Sequence, residues 1–261
     1  MSWIDCGVNI TAESQLEAFK DMLDEADDAG VQRFVIIASN VAESHRAVAF
    51  AEQDERCIVT VGVHPHHAAQ ANADFIHELR ELAQHPKVRA IGECGLDYNR
   101  NYSPPEVQRR VFAAQVQLAI DSQLPLYLHE RDALDDQLSI LTPAIGALRG
   151  AFTHCFTGNV AALNAYQQLD CYIGVTGWVC DERRGMDLAN VLPNIQAQRL
   201  LLETDTPYLL PRTLRPRPKS GHNRAKYVAH IGEHVANLRN VSAPSLASTT
   251  SANAMRLFGD W

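Results

Sequence analysis

Four short stretches of the sequence carry residue types that can do chemistry together. Glu93 sits in "GECGLD", His129 in "LHERD", His154 in "THCF", and Glu203 and Asp205 in "LLLETDTPYLLP". Each follows or ends an apolar, β-branched run. A strand that only fills a core has no use for acids and imidazoles at its tip, because burying them is costly unless they are paired or hold a cation. His, Glu and Asp are the ligand types of Zn²⁺, Mn²⁺ and Mg²⁺. A bridging carboxylate, two histidines and an aspartate make a hydrolytic metal site. The ion makes a water acidic enough to attack and polarises the scissile group, while a further carboxylate orients that water.

These residues need elements that bring them to one place. Candidate strands are "WIDCGVN", "RFVIIAS", "CIVTVGVH", "VRAIGECG", "PLYLHER", "GAFTHCF", "CYIGVTG" and "LLLETDT". They are continuous apolar runs, as in parallel strands buried on both faces. Amphipathic segments separate them. In "SPPEVQRRVFAAQVQLAIDSQ", Val107, Val111, Ala114 and Leu118 recur at helical spacing, with Ser103-Pro104 as a start signal. Eight strands alternating with helices predict an α/β fold, a single (β/α)8 TIM barrel spanning residues 1–261. A doubly wound open sheet is the alternative. After the eighth strand the chain runs through a basic, Pro-rich stretch, Pro211 to Arg224. Two helices then follow, around Tyr227 to Leu238 and Ser242 to Phe258.

In a barrel, catalytic groups gather at the C-terminal ends of the strands. That places His64, His66 and His67 after the third strand and Glu93 with Asp97 at the fourth. His129, His154 and the pair Glu203 and Asp205 end later strands. His64 is intermediate between a site residue and a loop partner. His66, His67, His77 and His85 are expected to do nothing chemical.

Composition bounds the rest. The chain has 261 residues, 46% hydrophobic and 21% charged, with a net charge of −8. That acidity argues against non-specific nucleic-acid binding, which rests on basic surface, unless bound cations reverse the local field. No apolar run is long enough for a membrane span, and "MSWIDCGVNI" lacks the pattern of a signal peptide. The six cysteines form no CxxC pair and sit mostly in apolar runs. They read as reduced thiols of a cytoplasmic protein. Nothing demands an assembly, so a monomer is expected.

The blocks "GVHPH", "AIGECGLDYNR", "LHERDA", "HCFTG", "YIGVTGWVCDERRG" and "LLLETDTPYLLPR" resemble the signature blocks of the TatD-type metal-dependent hydrolases. These are TIM barrels of the amidohydrolase superfamily with deoxyribonuclease activity. The resemblance runs from the first strand to the last helix. It implies a closed barrel and phosphodiester hydrolysis of DNA, with 3′→5′ exonuclease action on single strands. It implies Glu93 as a carboxylate bridging two metals and His129 and His154 as ligands of one of them. Asp205 becomes the remaining ligand or the residue that orients the attacking water. Glu203 and His64 become supporting or substrate-side groups, and Arg131 a phosphate binder. One departure stands out. Most members carry an H-x-H pair at the end of the first strand, where this chain has Gly7 and Asn9. Glycine offers no ligand atom, and Asn9 offers only an amide oxygen. One well-held ion at Glu93, His129 and His154 is therefore expected. A second, looser ion at Glu93, Asp205 and Asn9 would suit Mg²⁺ or Mn²⁺ better than Zn²⁺.

A single strand of DNA needs cations and stacking surfaces. Arg212, Arg215, Arg217, Lys219, His222 and Arg224 of the basic loop, with Arg183 and Arg184, are candidates for the first. Trp178, Tyr208 and Tyr98 are candidates for the second. Two other functions fit the same residues: a metallohydrolase of a small ester or amide, or of D-aminoacyl-tRNA, and a scaffold that has lost its first-strand ligands and its chemistry.

Overall fold

The computed structural model describes residues 2–10 and 16–259. Eight strands form one parallel sheet in sequence order. They are β1 (Trp3–Asn9), β2 (Val31–Ile37), β3 (Cys57–Val61), β4 (Val88–Asp97), β5 (Leu126–Arg131), β6 (Ala151–Thr153), β7 (Tyr172–Val175) and β8 (Leu200–Leu202). Helices α1 (Leu16–Asp28), α2 (Val41–Ala51), α3 (Phe75–Leu82), α4 (Pro105–Ser122), α5 (Leu134–Leu141), α6 (Val160–Gln168) and α7 (Met186–Val191) alternate with them. After β8 come α8 (Val228–Leu238) and α9 (Ala243–Phe258). The expected (β/α)8 barrel is therefore present, and the open doubly wound sheet is excluded by the return of β8 to β1. Val8 bridges Thr206 in parallel register. Asn9 N–H donates to Thr206 O at 3.0 Å, and Asp205 N–H donates to Gly7 O at 2.9 Å.

The strands are apolar because both faces are covered. Inside the barrel, Ile4, Cys6, Val35, Ile37, Ile58, Ala90, Tyr127, Phe152 and Leu201 pack together, and Ala254, Leu257 and Phe258 of α9 join them. Helix α9 thus stoppers one end. Burying such side chains stabilises by about 1.5–3 kcal/mol each. The opposite, C-terminal end stays open for polar groups. One buried acid ties the seam there. Asp5 accepts hydrogen bonds from the N–H of Gly7 at 3.2 Å, the N–H of Thr204 at 2.8 Å and the hydroxyl of Thr204 at 2.6 Å. The tip of β8 is thereby fixed against β1. Among the described residues no helix is long and apolar enough to cross a membrane.

Candidate metal centre and substrate cavity

Four groups from four strands converge at the open end. Glu93 follows a cis peptide with Gly92 in β4, and its carboxylate is buried. Its Oε1 lies 3.0 Å from His129 Nδ1, 3.4 Å from His64 Nε2 and 3.9 Å from His154 Nε2. His154 Nε2 is 3.6 Å from Asp205 Oδ1. Asp205 and Cys155 beside it hold positive φ, 56° and 47°, the left-handed region that non-glycine residues seldom occupy. Two donor groups lie next to each other, His64–Glu93–His129 and His154–Cys155–Asp205, each with ligand atoms within 4.8 Å of one another.

The donor set fits a divalent cation. Two carboxylates and imidazole nitrogens in a buried space form an N/O environment that Zn²⁺, Mn²⁺ and Mg²⁺ accept. The supporting bonds also match. His154 turns its Nδ1 to Glu203 Oε2 at 2.6 Å, which leaves Nε2 facing Glu93 and Asp205. His129 turns its Nε2 to Asp97 Oδ2 at 3.2 Å, which leaves Nδ1 toward Glu93. A carboxylate behind each histidine fixes the ring and raises its basicity, as at many metal centres.

Without an ion, the charges balance through protons. Burial works against a charged imidazole at His129. The hydrogen bonds to Asp97 and Glu93 overcome it and raise the pKa to about 9. Burial opposes charge at His154 too, and the nearby carboxylates of Glu203 and Glu93 raise it to about 10. Burial also pushes Asp205 up, to about 7, against the pull of His154. His64 goes the other way, to about 4, because burial outweighs the attraction of Glu93.

The first strand explains its own departure from H-x-H. A Cβ at Gly7 would lie 2.7 Å from Glu203 Oε2 and 2.9 Å from the Tyr127 hydroxyl. Gly7 is the vacancy into which those two groups fit. The Tyr127 hydroxyl lies 3.0 Å from Glu203 Oε2, 2.9 Å from Cys6 O and 2.9 Å from His154 Nδ1. Asn9 does not turn its amide nitrogen outward. Its Nδ2 donates to Asp205 Oδ1 at 2.8 Å and to Thr206 O at 3.1 Å. Its structural bond is therefore to the aspartate, which it orients.

The substrate-side expectations divide. His64 lines the cavity beside Glu93, and its Nδ1 accepts from the His66 N–H at 3.0 Å. Arg131 and Trp178 line the same cavity, which has a volume of about 660 Å³. Glu203 does not. It is 0% exposed and also accepts the Cys155 N–H at 2.6 Å, so it acts on His154 from behind and cannot touch substrate. Arg212 is outside the cavity lining as well, with its Nε 3.8 Å from Asp181 Oδ1. Arg224 pairs with Glu25, and the Tyr98 hydroxyl donates to Asp136 at 2.6 Å. The basic stretch is thus partly committed to internal pairs.

Other residues enter unforeseen. His66, set aside on sequence, places Nε2 2.8 Å from Asp97 Oδ2 and stacks edge-on against His64 and Tyr102. Asp97 is the acid that His66 and His129 share. Arg100 and Arg184 line the cavity with Arg131. The sequence signal for Tyr127 was one hydroxyl between Leu126 and Leu128 in the apolar first half of its strand.

A parallel eightfold barrel with histidines and carboxylates converging at the C-terminal strand ends defines a metal-dependent hydrolase of the barrel type. A family model described as TatD related DNase matches residues 4–259, and the chain belongs to this family. It is 46% identical over 255 residues to a 3′-5′ ssDNA/RNA exonuclease TatD of Escherichia coli (strain K12), covering 98% of each chain. A relative of the same description from Salmonella typhimurium is 44% identical over 254 residues, covering 97% of this chain and 98% of its own. Among solved structures, the TatD homolog YJJV of Escherichia coli K12 superposes with a TM-score of 0.88 at 26% identity, over 98% of this chain and 97% of that one.

Proposed function

We propose that this protein is a metal-dependent hydrolase that removes nucleotides from the 3′ end of single-stranded DNA. The observation that carries the reading is the convergence of Glu93, His129, His154 and Asp205 on one buried point, on a barrel whose full length matches exonucleases of that description. These four residues hold one or two divalent ions, with Mg²⁺ or Mn²⁺ preferred and Zn²⁺ the alternative. When bound, the ion neutralises charge developing on the phosphate and makes a water more acidic.

The chain's own residues do the rest. Glu203 and Asp97 hold the two imidazoles in place. Asn9 holds Asp205, whose free oxygen accepts the proton of the attacking water. The water oxygen bonds to phosphorus, the bond from phosphorus to the penultimate 3′-oxygen breaks, and that oxygen takes a proton from solvent. The products are a nucleoside 5′-monophosphate and a chain one residue shorter. Arg100, Arg131 and Arg184 give an acidic protein a local cationic lining at the phosphates. This concentration of arginine favours a polyanion over a small neutral ester or amide.

We place the protein in the cytoplasm as a monomer. Its six free cysteines, five of them buried, suit a reducing compartment. The test is digestion of 5′-labelled single-stranded DNA in Mg²⁺ and Mn²⁺. A ladder shortening from the 3′ end, lost in EDTA and in Asp205→Asn, supports the reading. Folded protein that leaves DNA intact but cleaves small esters would overturn it.

A further inference from the structure

A second, smaller cavity of about 210 Å³ opens beside the metal centre, between the ends of β5, β6 and β7. It shares Glu130, Arg131, His154, Thr157, Trp178 and Arg184 with the main cavity, so the two spaces adjoin. We propose that this side cavity receives the base of the 3′-terminal nucleotide, stacked on a platform made by Trp178 and Arg184. The proposal rests on the exonuclease reading given above.

Three observations point to a base. The first is the platform. The Arg184 guanidinium carbon lies 4.7 Å from the centroid of the Trp178 ring. Guanidinium planes and indoles both stack on nucleobases. The second is its orientation. Asp181 is buried and accepts from Arg184 Nε at 3.0 Å and from the Arg183 N–H at 3.0 Å, which directs the exposed guanidinium over the ring. A platform already directed loses less entropy on binding. The third is size and wall chemistry. The volume falls below the roughly 300–1,000 Å³ of ordinary small-molecule clefts, which is room for one base and not for a run of them. Buried Phe156 and Leu188 supply an apolar wall.

The connection through Arg131 completes the geometry. Arg131 Nη1 lies 3.2 Å from the Thr157 hydroxyl, at the passage between the two spaces. A phosphate held beside Glu93 and His154 therefore has its own nucleoside next to the side cavity. The rest of the strand stays in the larger one. The side cavity thus takes the base of the residue being removed.

The experiment uses oligonucleotides whose 3′-terminal residue is either a normal nucleotide or a tetrahydrofuran abasic analogue. Removal of the first residue is timed for the native protein, Trp178→Ala and Arg184→Ala. We expect native protein to remove the abasic residue about tenfold more slowly, the scale of one lost base stack. Trp178→Ala should slow removal of the normal residue by a similar factor and leave the abasic rate alone, whereas Arg184→Ala, which also removes a charge at the phosphates, should slow both. Equal native rates on both ends would overturn the proposal. If no DNA is cleaved, the exonuclease reading fails separately, and the cavity is judged by binding. Deoxyadenosine 5′-monophosphate should then bind the native protein about tenfold tighter than deoxyribose 5-phosphate, a preference lost in Arg184→Ala. Equal binding of the two would overturn the base pocket.

Discussion

Glu203 Oε2 lies 2.6 Å from His154 Nδ1, and Glu203 has no exposed surface. The carboxylate meets the imidazole, the Cys155 N–H and the Tyr127 hydroxyl, all inside the protein. Glu203→Gln keeps the shape but replaces a full negative charge with an amide. We expect metal affinity to fall about 10- to 100-fold, the usual cost of losing such a partner, with DNA binding in EDTA unchanged. Calorimetric titration with Mn²⁺ checks this. An unchanged affinity would mean that His154 needs no support from behind.

Gly7 has a steric reason that the usual H-x-H pattern conceals. Any Cβ there meets Glu203 and Tyr127 at under 3 Å. Gly7→Ala should destabilise the protein by about 1–3 kcal/mol, the range for overpacking a filled interior, and Gly7→His should lose more metal than it gains. Thermal melts with and without Mn²⁺ measure both. A Gly7→His variant that binds a second ion at native stability would refute the account.

Asn9 donates to Asp205. In Asn9→Ala the aspartate loses the bond that orients it. We expect kcat to fall about tenfold with KM little changed, since the lost bond positions a group and does not bind substrate. A rise in KM alone would point instead to a contact between Asn9 and DNA.

Protonation should be visible in stability. His129 and His154 titrate near 9 and near 10 in the ion-free fold, against roughly 6.5 in an unfolded chain. Between those limits the folded state holds more protons than the unfolded one, so stability falls as pH rises through that window. Asp205, raised to about 7, and Asp5, raised to about 8 by burial, act in the same direction over the lower part. The Tm measured in EDTA should drop from pH 6.5 to 9, and the drop should shrink in His154→Gln. Metal must displace these protons, so Mn²⁺ affinity should climb with pH. A flat Tm would contradict the proton count.

Arg131 and Arg212 should separate in salt. Arg131 lines both cavities, whereas Arg212 lies near Asp181 and outside them. Arg131→Ala should reduce the slope of log affinity against log salt by about 0.7, one phosphate contact on a single strand. Arg212→Ala should leave it near the native value. Equal slopes for the two variants would restore the basic loop to the DNA path.

The convergence of Glu93, His129, His154 and Asp205 was legible because each ends or follows an apolar run, and a barrel sends strand ends to one face. What stayed hidden needed closure and side-chain direction. Nothing local in "PLYLHER" says that Tyr127 reaches across the interior to Cys6 O and Glu203. His66 lies one residue past Pro65 in a short 3₁₀ turn, Pro65–Gln70, that swings it back over Asp97. The pairing of the basic loop was hidden for a related reason. Its charges are countable in the sequence, but their internal partners, such as Glu25 for Arg224, lie about 200 positions away.

The bond between Asn9 and Asp205 joins residues 196 positions apart, at the seam where β8 returns to β1. A chain emerging from the ribosome meets its own first strand only after nearly everything else has been made. Until then Asp205 has neither its orienting partner nor its place beside Glu93. A chain that stops short of β8 therefore lacks one of the four groups that converge at the open end, and the site is assembled only when the barrel closes.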